Sequence, residues 1–159
     1  RLNLIGEYNH YTDSKILDEN KIRYMFDGQC FYSLTDTIGL CQFVWGMSWQ
    51  LYGPAELLKL IKFGIGWDTS IKELLEVGER CINMMRHFNA REGFTKEDDK
   101  LPERVFEPLP EGPGKGTGIN KEEFNKAQDM YYKIAGWDEK TGIPSEQTLR
   151  KLQLDWLLD

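Results

Sequence analysis

Within Asp36-Thr37-Ile38-Gly39-Leu40-Cys41 a carboxylate, a glycine and a thiol fall inside six residues. A cysteine thiolate is a soft metal ligand, and a carboxylate accepts hydrogen bonds from amide-like donors. Gly39 can take the positive φ that closes a helix. Asp36 then lies in the helix's last turn, where a negative charge opposes the macrodipole. A hydrogen-bond donor, a metal or a ligand must favour it there, and two backbone N–H groups past the glycine read as exposed. The plainer alternative is an ordinary helix stop followed by a buried cysteine that packs as a small hydrophobe. Taken alone, the six residues favour that alternative.

Other candidate groups carry less. His10, between Tyr8 and Tyr11, has the side chain suited to proton transfer near neutral pH. Its polar surroundings read as solvated. His87 stands beside Arg86 and near Arg91 with no second histidine or spaced cysteine, so it reads as partly buried and hydrogen-bonded rather than metal-ligating. Cys30 and Cys81 fall inside helical patterns, and Cys81 on an apolar face reads as structural. No C-x-x-C pair offers Cys41 a resolving partner for thiol redox chemistry. Lys115 lies among glycines, but Walker spacing is absent and no strand precedes it, so phosphate binding is disfavoured.

The elements that must position these residues read as helices. Asp18 is a plausible N-cap for a helix carrying Ile22, Met25, Phe26, Phe31 and Leu34 toward Asp36. From Phe43 to Pro54 the chain is apolar and aromatic without a clean period. It reads as a buried connection containing a helical turn, with rings that could shield whatever Cys41 touches. Pro54 opens a short helix through Leu57, Leu58, Leu60, Ile61 and Phe63, ending at Gly64 or Gly66. Ser70-Ile71-Lys72-Glu73 is a capping box. The helix it opens has a stripe of Ile71, Leu74, Leu75, Gly78, Cys81, Ile82, Met85 and Phe88 that reads as core. Glu107 to Gly118 is too rich in proline and glycine for a regular element and reads as a wrapping loop. Asn120 caps a helix with Phe124, Ala127, Met130, Tyr131 and Ile134 on one face, and Gly136 ends it. Ser145 caps a last short helix, after which Trp156 and Leu157 close against the body. The fold class is therefore all-α, an irregular helical domain. Residues 18–106 form its helical core, 107–119 the Pro/Gly-rich loop and 120–159 the C-terminal helices.

The 159 residues suit one domain, with 40% apolar and 29% charged residues. A formal charge of -6 argues against nucleic acid and against an anionic membrane surface as partners. No apolar run approaches the roughly 20 residues that span a bilayer. Three cysteines do not make a secreted disulfide framework, so a cytoplasmic setting is expected. The start at Arg1, with no Met, fits a piece of a longer polypeptide.

Taken in order, Asp36 to Cys41, Gly78-Glu79-Arg80, Phe88 to Phe94, Asp98-Asp99, Leu101 to Arg104, Pro108 to Pro113, Tyr131-Tyr132, Gly136-Trp137 and Gly142 to Pro144 resemble the C-terminal part of the tungsten-containing aldehyde ferredoxin oxidoreductases. The likeness runs over residues 22 to 157. Each motif is weak by itself, and their ordered set is specific. The resemblance implies an enzyme carrying tungsten, or molybdenum, on two pterins beside a 4Fe-4S cluster. Such enzymes oxidise aldehydes to carboxylic acids and pass electrons to ferredoxin. It further implies that Cys41 is a cluster ligand, that Asp36 and Leu40 contact a pterin, and that Gly39 makes the turn. The family's other cluster cysteines form a C-x-x-C-x-x-x-C group that this sequence lacks, as it lacks the first pterin's residues. The chain is thus expected to be a C-terminal fragment that is inactive and binds neither cluster nor tungsten alone, with the N-terminal domains as its partner. The competing expectation is a non-catalytic, acidic helical interaction module.

Overall fold

The computed structural model describes residues 16–45 and 52–158, and every regular element among them is helical. In chain order these are α1 (Glu19–Thr37), α2 (Gln42–Trp45), α3 (Pro54–Ile65), α4 (Ile71–Arg91), α5 (Lys121–Ala135) and α6 (Glu146–Lys151). Short 3-10 turns occur at Lys96–Asp98, Glu103–Val105 and Asp155–Leu157. The all-α expectation holds. Tyr8, His10, Tyr11 and Trp49 lie outside the described residues.

The centre is the pairing of α1 with α4, with α5 packed beside α1. Asp18 caps α1 by accepting from the Lys21 amide at 2.8 Å. Ser70 and Glu73 cap α4 reciprocally, the Glu73 amide donating to Ser70 Oγ at 3.2 Å and the Ser70 amide to Glu73 Oε2 at 2.8 Å. The two helices meet at Gly78, where a Cβ would lie 1.8 Å from the Cys30 carbonyl oxygen. Only a residue without a side chain allows that approach. Phe31 and Leu34 of α1, Leu57 and Ile61 of α3, and Leu74 of α4 form one buried cluster. Phe26, Cys30 and Ala135 form a second, with Tyr131 edge-on to Phe26 at 5.7 Å. Each fully buried leucine contributes roughly 2–3 kcal/mol of burial free energy. Around α6, Leu149, Leu152 and Leu154 make a third cluster, tied to α4 by Arg80 Nε donating to the Leu152 carbonyl at 3.0 Å.

Four sequence expectations of packing need correction, the first being Trp156, which is 61% exposed rather than closed against the body. The α4 stripe is not core to its end: Met85 and Phe88 are each 53% exposed, while polar Asn83 is fully buried. Asn83 is buried because Trp137 Nε1 donates to its Oδ1 at 2.9 Å and its own Nδ2 donates to the Glu79 carbonyl. A face partnered by hydrogen bonds replaces the apolar one. Phe43 is 75% exposed, so the aromatic connection is not buried at its start, although the helical turn is present as α2. Trp45 does pack against the first cluster. The last correction is His87, whose buried Nδ1 has no hydrogen-bond partner among the described residues. The Pro/Gly-rich segment closes on itself through Leu109 N–H to the Thr117 carbonyl and Gly116 N–H to the Leu109 carbonyl, both 2.9 Å.

Candidate functional site at the end of α1

The last turn of α1 is finished by a paired cap. Leu40 N–H donates to the Thr35 carbonyl at 2.9 Å and Gly39 N–H to the Asp36 carbonyl at 3.1 Å. Gly39 has φ +73°. This is the Schellman arrangement, with the left-handed residue one position beyond the cap. It uses the Leu40 N–H, so that group is not open to a ligand as the sequence suggested. Thr35 is fully buried and turns its hydroxyl onto the Tyr32 carbonyl at 2.8 Å. Leu40 packs against the cluster of Phe31, Leu34, Leu57, Ile61 and Leu74. The turn is thus fastened on both sides of Gly39.

That fastening leaves two groups outside. Asp36 is exposed, and Cys41 is exposed as a free thiol. The buried-cysteine alternative therefore does not hold for Cys41. The donor that Asp36 requires is the side chain of Gln42, whose Nε2 lies 2.6 Å from Asp36 Oδ1. The same nitrogen lies 3.4 Å from the Tyr32 carbonyl. Among the described residues Oδ2 of Asp36 has no partner. The Cys41 carbonyl accepts from the Val44 and Trp45 amides at 3.0 Å, so α2 begins directly after the thiol residue.

The other cysteines differ. Cys30 is 2% exposed, and burial, aided by the charges of Glu79 and Asp27, pushes its thiol well above the ordinary range. A thiol held neutral is a poor ligand. Cys81 is half-buried on α4. Among the described residues no three His, Cys, Asp or Glu side chains gather to hold a metal. Cys41 can therefore contribute one thiolate to a site completed from elsewhere, while Asp36 can accept from an amide-like donor.

A second constellation lies between α4 and α5. Arg86, on α4, meets Asp99, and Tyr132 of α5 donates its hydroxyl to the same carboxylate. Burial and that bond to Asp99 push the Tyr132 phenol up, so it stays a donor. Every polar group of this set is engaged within the protein, which makes it a clasp rather than a reaction site. Sequence reading missed Gln42 and Arg86. A glutamine beside a cysteine carries no pattern, and the partner of Arg86 is 13 residues away on an irregular segment.

The sequence model of the family described as aldehyde ferredoxin oxidoreductase, domains 2 and 3, matches residues 5–154. The tungsten-containing aldehyde ferredoxin oxidoreductase of Pyrococcus furiosus is 34% identical over 143 residues, covering 88% of this chain and 22% of that protein. That of Pyrococcus abyssi is 33% identical over 151 residues, 93% of this chain and 23% of the other. The aliphatic sulfonate oxidoreductase WOR-like subunit of Pyrococcus furiosus is 31% identical over 136 residues, 80% of this chain and 20% of the other. The chain spans about a fifth of the length of these relatives. Among solved structures, the active-site complex BamBC of benzoyl coenzyme A reductase, with 1,5-dienoyl-CoA, superposes with a TM-score of 0.72 at 21% identity. It covers 92% of this chain and 21% of that one, a likeness of fold.

Proposed function

This chain belongs to the aldehyde ferredoxin oxidoreductase family, and we propose that it is the C-terminal helical domain of a cytoplasmic enzyme that oxidises aldehydes to carboxylic acids with ferredoxin as acceptor. In this reading Cys41 gives one thiolate to a 4Fe-4S cluster, and Asp36, Gly39 and Leu40 form one side of the seat for a tungsten (or molybdenum) bis-pterin. The residues fit those groups. An exposed thiol follows a rigid turn, and an exposed carboxylate offers an acceptor oxygen with no partner among the described residues. When bound, the metal and pterins supply the redox chemistry, in which an aldehyde gains oxygen from water and gives up an electron pair. The chain's own part is to orient. Leu40 anchors the turn, Gly39 makes it, and Asp36 and Cys41 face outward from it.

The observation that carries this reading is the shared exposure of Cys41 and Asp36 on a turn pinned to the core. One thiolate does not retain a cluster that normally takes four. The 159-residue chain alone is accordingly inactive and cofactor-free, and the other domains of the same polypeptide are its first partner. The test is iron content and the cluster's electron paramagnetic resonance in the full-length protein. Cys41→Ser disturbs both more than Cys30→Ser or Cys81→Ser, and equal effects from all three would overturn the ligand assignment. A relative named for aliphatic sulfonates favours a second substrate class. Ferredoxin reduction driven by aldehydes, with sulfonates as the comparison, decides between them. Reduction by neither, with no iron bound, would leave the non-catalytic interaction module.

A further inference from the structure

We infer that Gln42 is a positioning residue for the Asp36 carboxylate, holding Oδ1 so that Oδ2 is presented to the pterin. This rests on the reading of Asp36 given above. Asp36 ends a helix whose dipole repels it, and an exposed carboxylate there would otherwise turn freely. Gln42 Nε2 meets Oδ1 at 2.6 Å and faces the Tyr32 carbonyl at 3.4 Å. Both neighbours are acceptors, so the amide must present its NH2 and not its oxygen. Gln42 is itself held. It is half-buried, it opens α2, and the turn around it is closed by the Cys41 carbonyl bonded to Val44 and Trp45. Trp45 packs on the core behind. One side chain thereby couples the carboxylate to the element that starts at the thiol. Asp36 and Cys41 are set relative to each other by a bond as well as by the turn.

The experiment uses the full-length protein, with tungsten and iron per polypeptide measured after gel filtration and folding followed by circular dichroism. Gln42→Met keeps the length and removes the donor. Gln42→Lys keeps the reach and restores one. Asp36→Asn reports on the carboxylate itself. Gln42→Met is expected to lower tungsten retention roughly tenfold, as loss of an outer partner of a metal site commonly does, with iron unchanged and Gln42→Lys recovering most of it. Equal losses in Gln42→Met and Gln42→Lys would mean packing rather than donation and would overturn the inference. Wild-type tungsten in Gln42→Met with loss in Asp36→Asn would overturn it while leaving the role of Asp36 intact. Wild-type tungsten in all three would remove the role of Asp36 and the inference with it.

Discussion

Arg86 grips Asp99 through both ends of its fork, Nη1 to Oδ1 at 2.9 Å and Nη2 to Oδ2 at 2.6 Å. Its Nε donates to the Gly142 carbonyl at 2.7 Å, and its guanidinium lies 4.9 Å from the Trp137 ring centre. Tyr132 joins on the carboxylate. Four motifs scattered between residues 98 and 144 therefore meet at one ion pair. The Arg86 side chain is 10% exposed and that of Asp99 32%.

Breaking this pair from one side strands a desolvated charge. Arg86→Met should cost about 3 kcal/mol in urea unfolding of the chain. Arg86→Lys should cost nearly as much, because an ammonium cannot serve two carboxylate oxygens and a carbonyl in the guanidinium's plane. The double variant Arg86→Met with Asp99→Asn should recover part of the loss. A double variant that loses the sum of the singles would show the two residues to be uncoupled.

Two glycines in helices should respond with opposite sign. At Gly78 an added methyl meets the Cys30 carbonyl at 1.8 Å, and backbone cannot step aside cheaply. Gly78→Ala should lose about 3 kcal/mol by forcing α1 from α4. At Gly64 nothing lies within 4 Å. Gly64→Ala should gain about 0.5–1 kcal/mol from a less flexible unfolded chain. Thermal denaturation of the two variants measures both, and the contrast tests the helix crossing directly.

How far the sequence reveals this molecule depends on whether the information is local. The caps at Asp18, Ser70, Asn120 and Ser145 were legible because each is written within three or four residues. The Asp36 to Cys41 turn was legible for the same reason, whereas the exposure of Cys41 followed only from the resemblance that implies a cluster ligand there, not from the six residues themselves. Exposure depends on where Leu40 finds its core, and that core is assembled from α1, α3 and α4. Nothing local in the sequence marks Asn83, a polar residue beside the α4 stripe. Its burial follows from a bond to Trp137, 54 residues on. Gln42 carried no signal because its meaning is a contact, not a pattern.

Cys30 makes stability depend on alkaline pH. Burial, with Glu79 and Asp27 nearby, raises its thiol in the folded state. A raised folded value stabilises below the unfolded thiol's pKa of about 8.5 and is lost as pH rises above it. Unfolding free energy should fall by about 1.4 kcal/mol per pH unit from this one group above that point. Cys30→Ala should flatten the slope between about pH 8.5 and 10, the second limit being where tyrosines begin to ionise. Above it Tyr131 and Tyr132, both raised mainly by burial, add a loss of the same sign. Urea melts across this range, wild type against Cys30→Ala, measure it. Parallel curves would show that Cys30 ionises freely in the folded chain.

The three thiols should also separate by rate. Cys41 is exposed, Cys81 half-buried and Cys30 buried with its proton retained. With an aromatic disulfide reagent at neutral pH, the 159-residue chain should release one equivalent quickly, a second more slowly, and the third only as the chain opens. Cys41→Ser should delete the fast phase and leave the other two. Urea should accelerate the slowest phase in step with unfolding, because reaction at Cys30 requires α1 to leave Gly78. In the full-length protein the same fast phase should vanish if the other domains and a cluster cover Cys41, and reappear when iron is chelated. A fast phase that persists in the iron-loaded protein would mean that Cys41 faces solvent and binds no metal, whatever the turn beside it suggests.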